Sequence, residues 1–440
     1  MVLRGSSPGR EGTLHGRDTM LIHRSGPSLP SGEGPRVTSK QEAVPVNPFS
    51  RSLRAGAVAM LLAGAIATPA VAAEPAPPNE QMQALLDQLA GLGGEPIDTL
   101  EPSEARTQPS VADAVTALLE SRGASTAPEP VGDVEDRTIP GPASDLPVRI
   151  YTPDGDGPFP LIVYYHGGGF VIATIDTYDS SARALTNAAE AIVISVEYRK
   201  APEYPFPAAV DDAYAAYLWA TDNAAEINGD PERVAVAGES AGGNLATVVS
   251  LRARDAGDQP PVHQLLVYPL TSFSLDFPSV ETYADAKPLN RAALEWFGGH
   301  YLADPSQAAD PDVSPLDAPD LSDLPPATII AAQIDPLLSE GRDYADALRD
   351  AGVSVSYRRY DGVTHEFFGT GAVVDEGTEA VTFAGQRLAD AFAHLPDTFT
   401  AANDGSPPVP SWSLLGLLLL ASGAFLLVTL RPLSPRSTRR

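Results

Sequence analysis

The chain has 440 residues, of which 43% are hydrophobic, and it carries a formal net charge of −28. This length suits one large domain with additional segments, and the apolar content is sufficient for a large core. A strongly negative surface repels nucleic-acid phosphates, so we expect no nucleic-acid partner. Cysteine is absent, which excludes disulfides, thiolate metal sites and a cysteine nucleophile.

Residues 1–73 are predicted to be a leader outside the folded domain. Residues 1–50 are rich in Gly, Ser, Pro and Arg without apolar periodicity, which indicates disorder. Arg51 and Arg54 are then followed by an uncharged, Ala-rich run that ends in Ala70-Val71-Ala72-Ala73. This composition is typical of a secretory signal peptide, with a weak transmembrane helix as the alternative.

Residues 74–130 carry two predicted amphipathic helices, Gln81–Gly91 and Val111–Leu119, separated by a polar loop. A catalytic-domain-sized region, 131–398, then alternates strand-like runs with helical stretches. This alternation predicts an α/β fold with a mostly parallel sheet covered by helices on both faces. The predicted strands are Val148–Tyr151, Leu161–Tyr165, Ala191–Val196, Val234–Ala237, Gln264–Tyr268, Ala327–Ala332 and Val353–Arg358. The clearest helices are predicted at Ala208–Ala220, Gly243–Ala253 and Arg342–Ala351.

A glycine-rich loop, His166-Gly167-Gly168-Gly169-Phe170, directly follows the predicted strand 161–165. Successive glycines allow backbone N–H groups to face an oxyanion without an obstructing Cβ. We therefore predict that Gly168 and Gly169 are oxyanion donors and that a ring N–H of His166 braces the loop. A flexible turn or a phosphate cradle is the alternative, but no Gly-Lys-Ser/Thr sequence follows the loop.

A second motif, Gly238-Glu239-Ser240-Ala241-Gly242, follows the predicted strand 234–237 and begins a predicted helix. This is the strand–turn–helix context of a nucleophile elbow, in which the sharp turn requires small residues beside the serine. Glycines flank the serine at the required positions. The pattern predicts that Ser240 is a nucleophile and that the N–H of Ala241 is a third oxyanion donor.

An acid is predicted at Asp335, which follows the predicted strand 327–332. A carboxylate at the carboxyl end of a parallel strand faces the site edge of the sheet. There it can accept the Nδ1–H of a histidine and hold the tautomer that a general base needs. Asp343, inside a predicted helix, and Asp361, a turn residue before glycine, are the alternatives.

The base is sought among the four histidines that follow Ser240, because the acid and the histidine follow the elbow serine in that order. They are His263, His300, His365 and His394. His365 lies in a loop after the last predicted strand and is the predicted base. His394 ends the final helix and is interpreted as a surface or capping residue.

The composition changes again after about residue 396. Residues 399–410 are predicted to be a Pro-rich linker, and 411–430 form an uncharged, Leu-rich run that is long enough for a bilayer core. Residues 431–440 are basic. These features predict a transmembrane or sorting-tail helix. Together with the signal peptide, they predict an exported protein, either anchored in the cell envelope outside the inner membrane or secreted after tail cleavage.

The motifs at 166–170, 238–243, 335–337 and 363–367 together resemble the bacterial hormone-sensitive-lipase-like esterases, family IV of the α/β-hydrolase superfamily. The segment 198–212 is also similar to that family, and the resemblance covers about residues 79–393. It implies an eight-stranded sheet, a helical cap over the site and hydrolysis of carboxylic esters through an acyl-enzyme. It implies no metal and no cofactor.

On this chain the implied cap corresponds to residues 74–130 and about 271–312. Its aromatic side chains are candidates for an acyl pocket, although ordinary cap packing is an equal alternative; with one residue of the glycine loop, they are Phe170, Trp296, Phe297 and Tyr301. The chain departs from many relatives at Glu239, where they carry Asp or Thr, and at 338–340. These departures leave the details of the pocket open.

We therefore predict a serine esterase for small-molecule esters of short to medium acyl chains, with a homodimer as a further form. An amidase or deacetylase that uses the same three residues is an alternative, because acyl transfer to either leaving group needs the same groups. A non-catalytic small-ligand receptor on the same fold is a second alternative. His365 argues against it, because such receptors have lost this histidine.

Overall fold

One eight-stranded sheet, in the order β1-β2-β4-β3-β5-β6-β7-β8, organises the computed structural model, which describes residues 76–394. β2 pairs antiparallel with β1 and β4, and the other neighbours are parallel. The predicted α/β class and the eight strands are thus confirmed. The strands are β1 Asp133–Pro140, β2 Asp145–Thr152, β3 Phe159–Tyr165, β4 Ile192–Val196, β5 Gly229–Glu239, β6 Gln264–Val267, β7 Ala327–Ile334 and β8 Val355–Thr364.

Helices cover both faces of the sheet, and the central strands are therefore buried on both sides. Along β3, Leu161 and Val163 belong to one apolar cluster while Ile162 and Tyr164 belong to the other. Such continuous burial explains why the central strands are uninterrupted apolar runs in the sequence. The helices are α1 Glu80–Gly91, α2 Pro102–Ala105, α3 Val111–Ser121, α4 Asp179–Ala189, α5 Ala208–Asn223, α6 Ala241–Ala256, α7 Pro278–Thr282, α8 Arg291–Tyr301, α9 Leu338–Asp350 and α10 Asp375–Ala393.

β1 is the strand that the sequence patterns missed. Its residues Asp133, Glu135, Asp136 and Arg137 are charged, and Ile139 is its one fully buried apolar side chain. An edge strand that is largely exposed lacks the apolar alternation by which strands are recognised. Tertiary pairing with β2 along its full length makes it a strand.

The N-terminal helices are attached to the rest of the domain at two points, one before α1 and one between α2 and α3. Asn79 caps α1 through its side chain, and its backbone N–H donates to the carbonyl of Gly362 on β8 at 2.8 Å. The guanidinium of Arg106 donates to the carbonyls of Val171 and Ala201 at 2.8 and 2.7 Å. The segment therefore lies against β8 and against the loop that follows the glycine motif.

The prediction of a membrane-anchored, cell-envelope location is corrected. Between residues 76 and 394, no helix is long and apolar enough to cross a membrane. The longest, α10, has 19 residues, but Asp375, Glu376, Arg387 and Asp390 make it amphipathic rather than apolar. The predicted signal peptide at 51–73, the linker at 399–410, the apolar run at 411–430 and the basic tail lie outside the described residues.

Candidate active site

The turn after β5 brings Ser240 to the carboxyl edge of the sheet in a strained conformation. Its φ and ψ are 56° and −118°, a region that costs a non-glycine residue of order 1–3 kcal/mol. Close packing enforces the turn, since a Cβ added at Gly242 would lie 1.9 Å from the carbonyl oxygen of Tyr165. The Ser240 N–H donates to the carbonyl of Val267 at 2.9 Å, which ties the turn to β6.

The glycine loop lies beside this turn because β3 and β5 are adjacent parallel strands. The Gly168 carbonyl accepts the N–H of Val171 and Ile172 at 3.0 and 2.9 Å. Ring Nδ1 of His166 lies 2.7 Å from the carbonyl of Gly167, a contact through which a ring N–H can brace the loop. Burial, and then the charge of Lys200, lower the pKa of His166 to about 4, so its ring is neutral near pH 7.

Ala241 is the first residue of α6. Its N–H is one of the four at a helix start for which no intrahelical carbonyl is available. Together with the glycine loop, it contributes backbone donors to the same edge of the sheet. The predicted oxyanion donors Gly168, Gly169 and Ala241 are thus brought to one region, each at the end of a parallel central strand.

Asp335 and His365 are hydrogen bonded, with 2.7 Å between Oδ2 and Nδ1. β7 ends at Ile334 and β8 ends at Thr364, so each residue directly follows a strand. The other oxygen of Asp335 accepts the N–H of Leu337 at 2.8 Å. Since Nδ1–H is engaged by the carboxylate, Nε2 of His365 is available as a proton acceptor.

The exposure of these three side chains decreases from serine to acid. Ser240 is 8% exposed, His365 4% and Asp335 1%. Burial lowers the pKa of His365, but the carboxylates of Asp335, Glu366 and Glu239 outweigh burial, so that the pKa is raised above its usual 6.5. The site thus stabilises a protonated imidazole, which a general base becomes during reaction.

The other candidate acids and histidines lie elsewhere. Asp343 is exposed on α9, and Asp361 forms an ion pair with Arg359 on β8. His394 is the C-cap of α10 and contacts the carbonyl of Asp390, as expected of a capping residue. His263 is buried against Thr328, 2.9 Å from its hydroxyl.

The four predicted pocket aromatics separate into two pairs. Tyr301 and Phe170 are stacked, with ring centroids 3.8 Å apart, and both are fully buried in the core. Phe297 lies at the site, since a Cβ added at Gly169 would lie 2.2 Å from its ring. Trp296 donates from Nε1 to the carbonyl of Leu100 at 3.0 Å and so joins the two cap-like segments.

A narrow apolar cavity opens beside His365, and its lining was missed from the sequence. The cavity is bordered by helix α1 and by the residues around the histidine; its lining residues are Met82, Leu85, Leu86, Leu89, Val111, Pro288, Thr364, His365 and Glu366. The helical spacing of leucine in α1 indicated a buried face. It did not indicate that this face covers the histidine, because 283 positions of sequence separate Met82 from His365.

Comparisons with known proteins identify relatives of this chain. A model of the alpha/beta hydrolase fold family matches residues 162–369. The chain is 46% identical over 241 residues to carboxylic ester hydrolase LipN of Mycobacterium tuberculosis, a match that covers 53% of this chain and 64% of LipN. That match therefore spans slightly less than two thirds of LipN.

Two further relatives are matched over nearly their full length. An ethyl acetate hydrolase of Pseudomonas putida is 36% identical over 297 residues, covering 67% of this chain and 91% of the relative. An esterase structure from Pyrobaculum calidifontis superposes with a TM-score of 0.65 at 38% identity and covers 71% of this chain and 99% of the esterase.

The chain therefore belongs to the α/β-hydrolase family, among the hormone-sensitive-lipase-like esterases. Its activity is that of a serine carboxylic ester hydrolase.

Proposed function

We propose that Ser240, His365 and Asp335 are the nucleophile, general base and orienting acid of this esterase. The observation that carries the proposal is the 2.7 Å hydrogen bond from His365 to Asp335, two groups 30 positions apart in sequence. The strained backbone of Ser240 supports it, because strain of this kind persists where surrounding structure enforces it and is concentrated at active sites.

The reaction follows from these roles. The Ser240 hydroxyl oxygen attacks the ester carbonyl carbon while Nε2 of His365 takes the hydroxyl proton. The tetrahedral intermediate collapses, the carbon–oxygen bond to the alcohol breaks, and His365 gives its proton to the leaving oxygen. Water then attacks the acyl-serine, again losing a proton to His365, and the acid is released with the hydroxyl of Ser240 restored.

The negative oxygen of the intermediate is assigned to the backbone N–H groups of Gly168, Gly169 and Ala241. Fixed N–H dipoles stabilise an oxyanion without reorganising during the reaction, and losing one such donor typically costs about 10²–10³-fold in rate. The braced loop at His166 and the tied turn at Ser240 keep both sets of donors in place.

The substrates that we propose are small esters of short to medium acyl chains. Residues 74–130 and about 271–312 act as a cap, joined by the hydrogen bond from Trp296 to Leu100. The ring of Phe297 lies against Gly169 and limits the space for the acyl chain of the substrate. Helix α1 limits the space beside His365. The relative named for ethyl acetate hydrolysis supports a small acyl group.

The test is a series of p-nitrophenyl esters from acetate to palmitate, together with a trioleoyl emulsion. We expect kcat/KM to be greatest at short to medium chains. Faster turnover of trioleoyl glycerol than of a butyrate ester would contradict the cap. A matched butyryl anilide distinguishes esterase from amidase. The homodimer remains a prediction, which light scattering on the purified protein can test.

A further inference from the structure

Two carboxylates and three tyrosines are grouped behind the proposed catalytic residues. We call this group the acid–tyrosine cluster: Tyr164, Tyr178, Glu239, Tyr268 and Glu366. All are buried except Glu366, which is partly exposed. Each member is near a proposed catalytic group in sequence or in space, and none takes part in the reaction proposed above.

Glu239 is the centre of the cluster and directly precedes Ser240. Its Oε1 accepts a hydrogen bond from the hydroxyl of Tyr164 at 2.6 Å, and its Oε2 accepts one from the hydroxyl of Tyr268. Both oxygens of the side chain are therefore occupied. Tyr164 is on β3, two positions before the glycine loop, so this carboxylate links the nucleophile turn to that loop.

Tyr268 connects Glu239 to the proposed base. Its ring packs against the imidazole of His365, with centroids 4.5 Å apart and planes inclined by 47°. The hydroxyl on the same ring is held by Glu239. The charge of Glu239 also contributes to the raised pKa of His365. Glu239 thus acts on the imidazole of His365 in two ways, by orienting the ring of Tyr268 and through the electric field of its own negative charge.

Glu366 makes a parallel connection to the glycine loop. It directly follows His365 and accepts the hydroxyl of Tyr178 at 2.6 Å. That hydroxyl supports the loop from below, since a Cβ added at Gly167 would lie 2.3 Å from it. Loss of the hydrogen bond between Tyr178 and Glu366 would therefore disturb both the glycine loop and His365.

We propose that Glu239 is a positioning residue for ester hydrolysis, which holds Tyr268 against His365 and stabilises the protonated imidazole as it forms. Glu239 touches neither the substrate nor the reacting atoms in this scheme. The proposal rests on the roles proposed above for Ser240 and His365. It gives a chemical reason for an acid directly before the nucleophile.

Several groups from different elements determine the charge of Glu239. Burial raises its pKa to about 7, while the hydroxyls of its neighbours favour the charged form. The polar and titratable groups that face it are Tyr164 from β3, Tyr178 and Ser181 around the start of α4, Tyr268 after β6, and His365 and Glu366 after β8. As pH rises through this range, a larger fraction of Glu239 is ionised. Its stabilisation of the protonated imidazole of His365 should therefore increase with pH.

The test is Glu239→Gln in the full chain, with kcat and KM for p-nitrophenyl butyrate measured across pH. Glutamine keeps the shape and one acceptor but removes the charge. We expect kcat to fall roughly tenfold near pH 8, with KM within about twofold, and the deficit to shrink near pH 6. The acid limb of kcat/KM should move to lower pH, because losing a negative neighbour lowers the pKa of His365.

Two further variants separate positioning from folding. Glu239→Asp restores the charge, and we expect it to recover the pH dependence even though its shorter side chain cannot reach both hydroxyls. Tyr268→Phe keeps the ring but loses the bond to Glu239, and it should lower kcat in the same direction. If Glu239→Gln does not fold, Tyr268→Phe decides, and an unchanged kcat there overturns the proposal.

Glu340→Gln is the matched control, because Glu340 is as buried and accepts the N–H groups of Thr271 and Ser272. It should change thermal stability without shifting the acid limb. A deficit in Glu239→Gln that is equal at every pH, or an acid limb that does not move, contradicts the proposal. If one of these contradicting outcomes is found while Ser240→Ala is inactive, the proposed esterase mechanism is retained and only the role proposed for Glu239 is rejected.

Discussion

The carboxyl edge of the sheet and the cap-like segments differ in how they are held. Ser240, Asp335 and His365 each directly follow a strand of the sheet, and their side chains are at most 8% exposed. In the cap-like segments, Trp296, Phe297 and most of α1 are only partly buried. The edge therefore surrounds the proposed catalytic groups with tight packing, whereas the side chains of the cap-like segments are less constrained by their neighbours. We expect changes at the edge to affect the rate and changes in the cap to affect substrate choice.

The largest effect is expected for Ser240→Ala. Without the hydroxyl no acyl-enzyme can form, and kcat should fall on the order of 10⁵-fold. Ser250→Ala, within the helix α6 that begins directly after Ser240, is the control, because that hydroxyl is also buried but donates to the carbonyl of Ala246. Retention of a tenth of the activity in Ser240→Ala would exclude it as the nucleophile.

Asp335→Asn should be almost as damaging. An amide at this position favours the wrong imidazole tautomer, and this change typically lowers kcat by about 10⁴-fold. Asp343→Asn, exposed on α9, and Asp361→Asn, in its ion pair with Arg359, should each remain within about twofold. If either control lowers kcat more than Asp335→Asn does, the aspartate replaced in that control is the orienting acid instead of Asp335.

The pH dependence of the unmodified enzyme provides a third test. The pKa of His365 is raised, and a protonated imidazole cannot accept the proton of Ser240. Activity should therefore fall as pH decreases, with the midpoint of the acid limb of kcat/KM above 6.5. Replacing Asp335 by Asn should move that midpoint downward. A midpoint well below 6.5 in the unmodified enzyme would show that burial outweighs the carboxylates.

In the cap, Phe297→Ala should change selectivity more than rate. Removing the ring beside Gly169 enlarges the space for the acyl chain, so the ratio of kcat/KM for octanoate to that for acetate should rise about tenfold. Phe383→Ala on α10, beneath the guanidinium of Arg358, is a control for the loss of a phenyl ring. If this ratio is unchanged in Phe297→Ala, the ring of Phe297 does not limit the space for the acyl chain.

The smallest effect is expected for Arg106→Met. Arg106 donates to two backbone carbonyls and forms an ion pair with Glu203, whose pKa its guanidinium lowers to about 2. The ion pair is partly exposed, so we expect a loss of about 1 kcal/mol and a Tm lower by about 2–4 °C. Arg291→Met, which breaks an exposed pair with Glu295, should change Tm less. If the two variants lower Tm equally, the hydrogen bonds of Arg106 to the two backbone carbonyls do not contribute to stability.

The difference between the two regions also explains which predictions succeeded. The strands of the sheet centre were predicted to within five residues at each end, because burial on both faces leaves uninterrupted apolar runs. β1 was missed because an exposed edge strand lacks that pattern. The sequence did not show that Tyr301, a candidate for the acyl pocket, stacks on Phe170, because the position of an aromatic on α8 does not reveal which residue it contacts.

By itself, the sequence determined the central strands, several of the helices, the two glycine motifs and the residues that follow the strands, because turns and burial leave local patterns. Only the tertiary structure decided which distant groups meet. The contact of Tyr268 with His365, the bonds of Glu239 to Tyr164 and Tyr268, and the cover of α1 over the histidine depend on strand adjacency and packing. These pairings join residues far apart in the chain, and no local spacing encodes them.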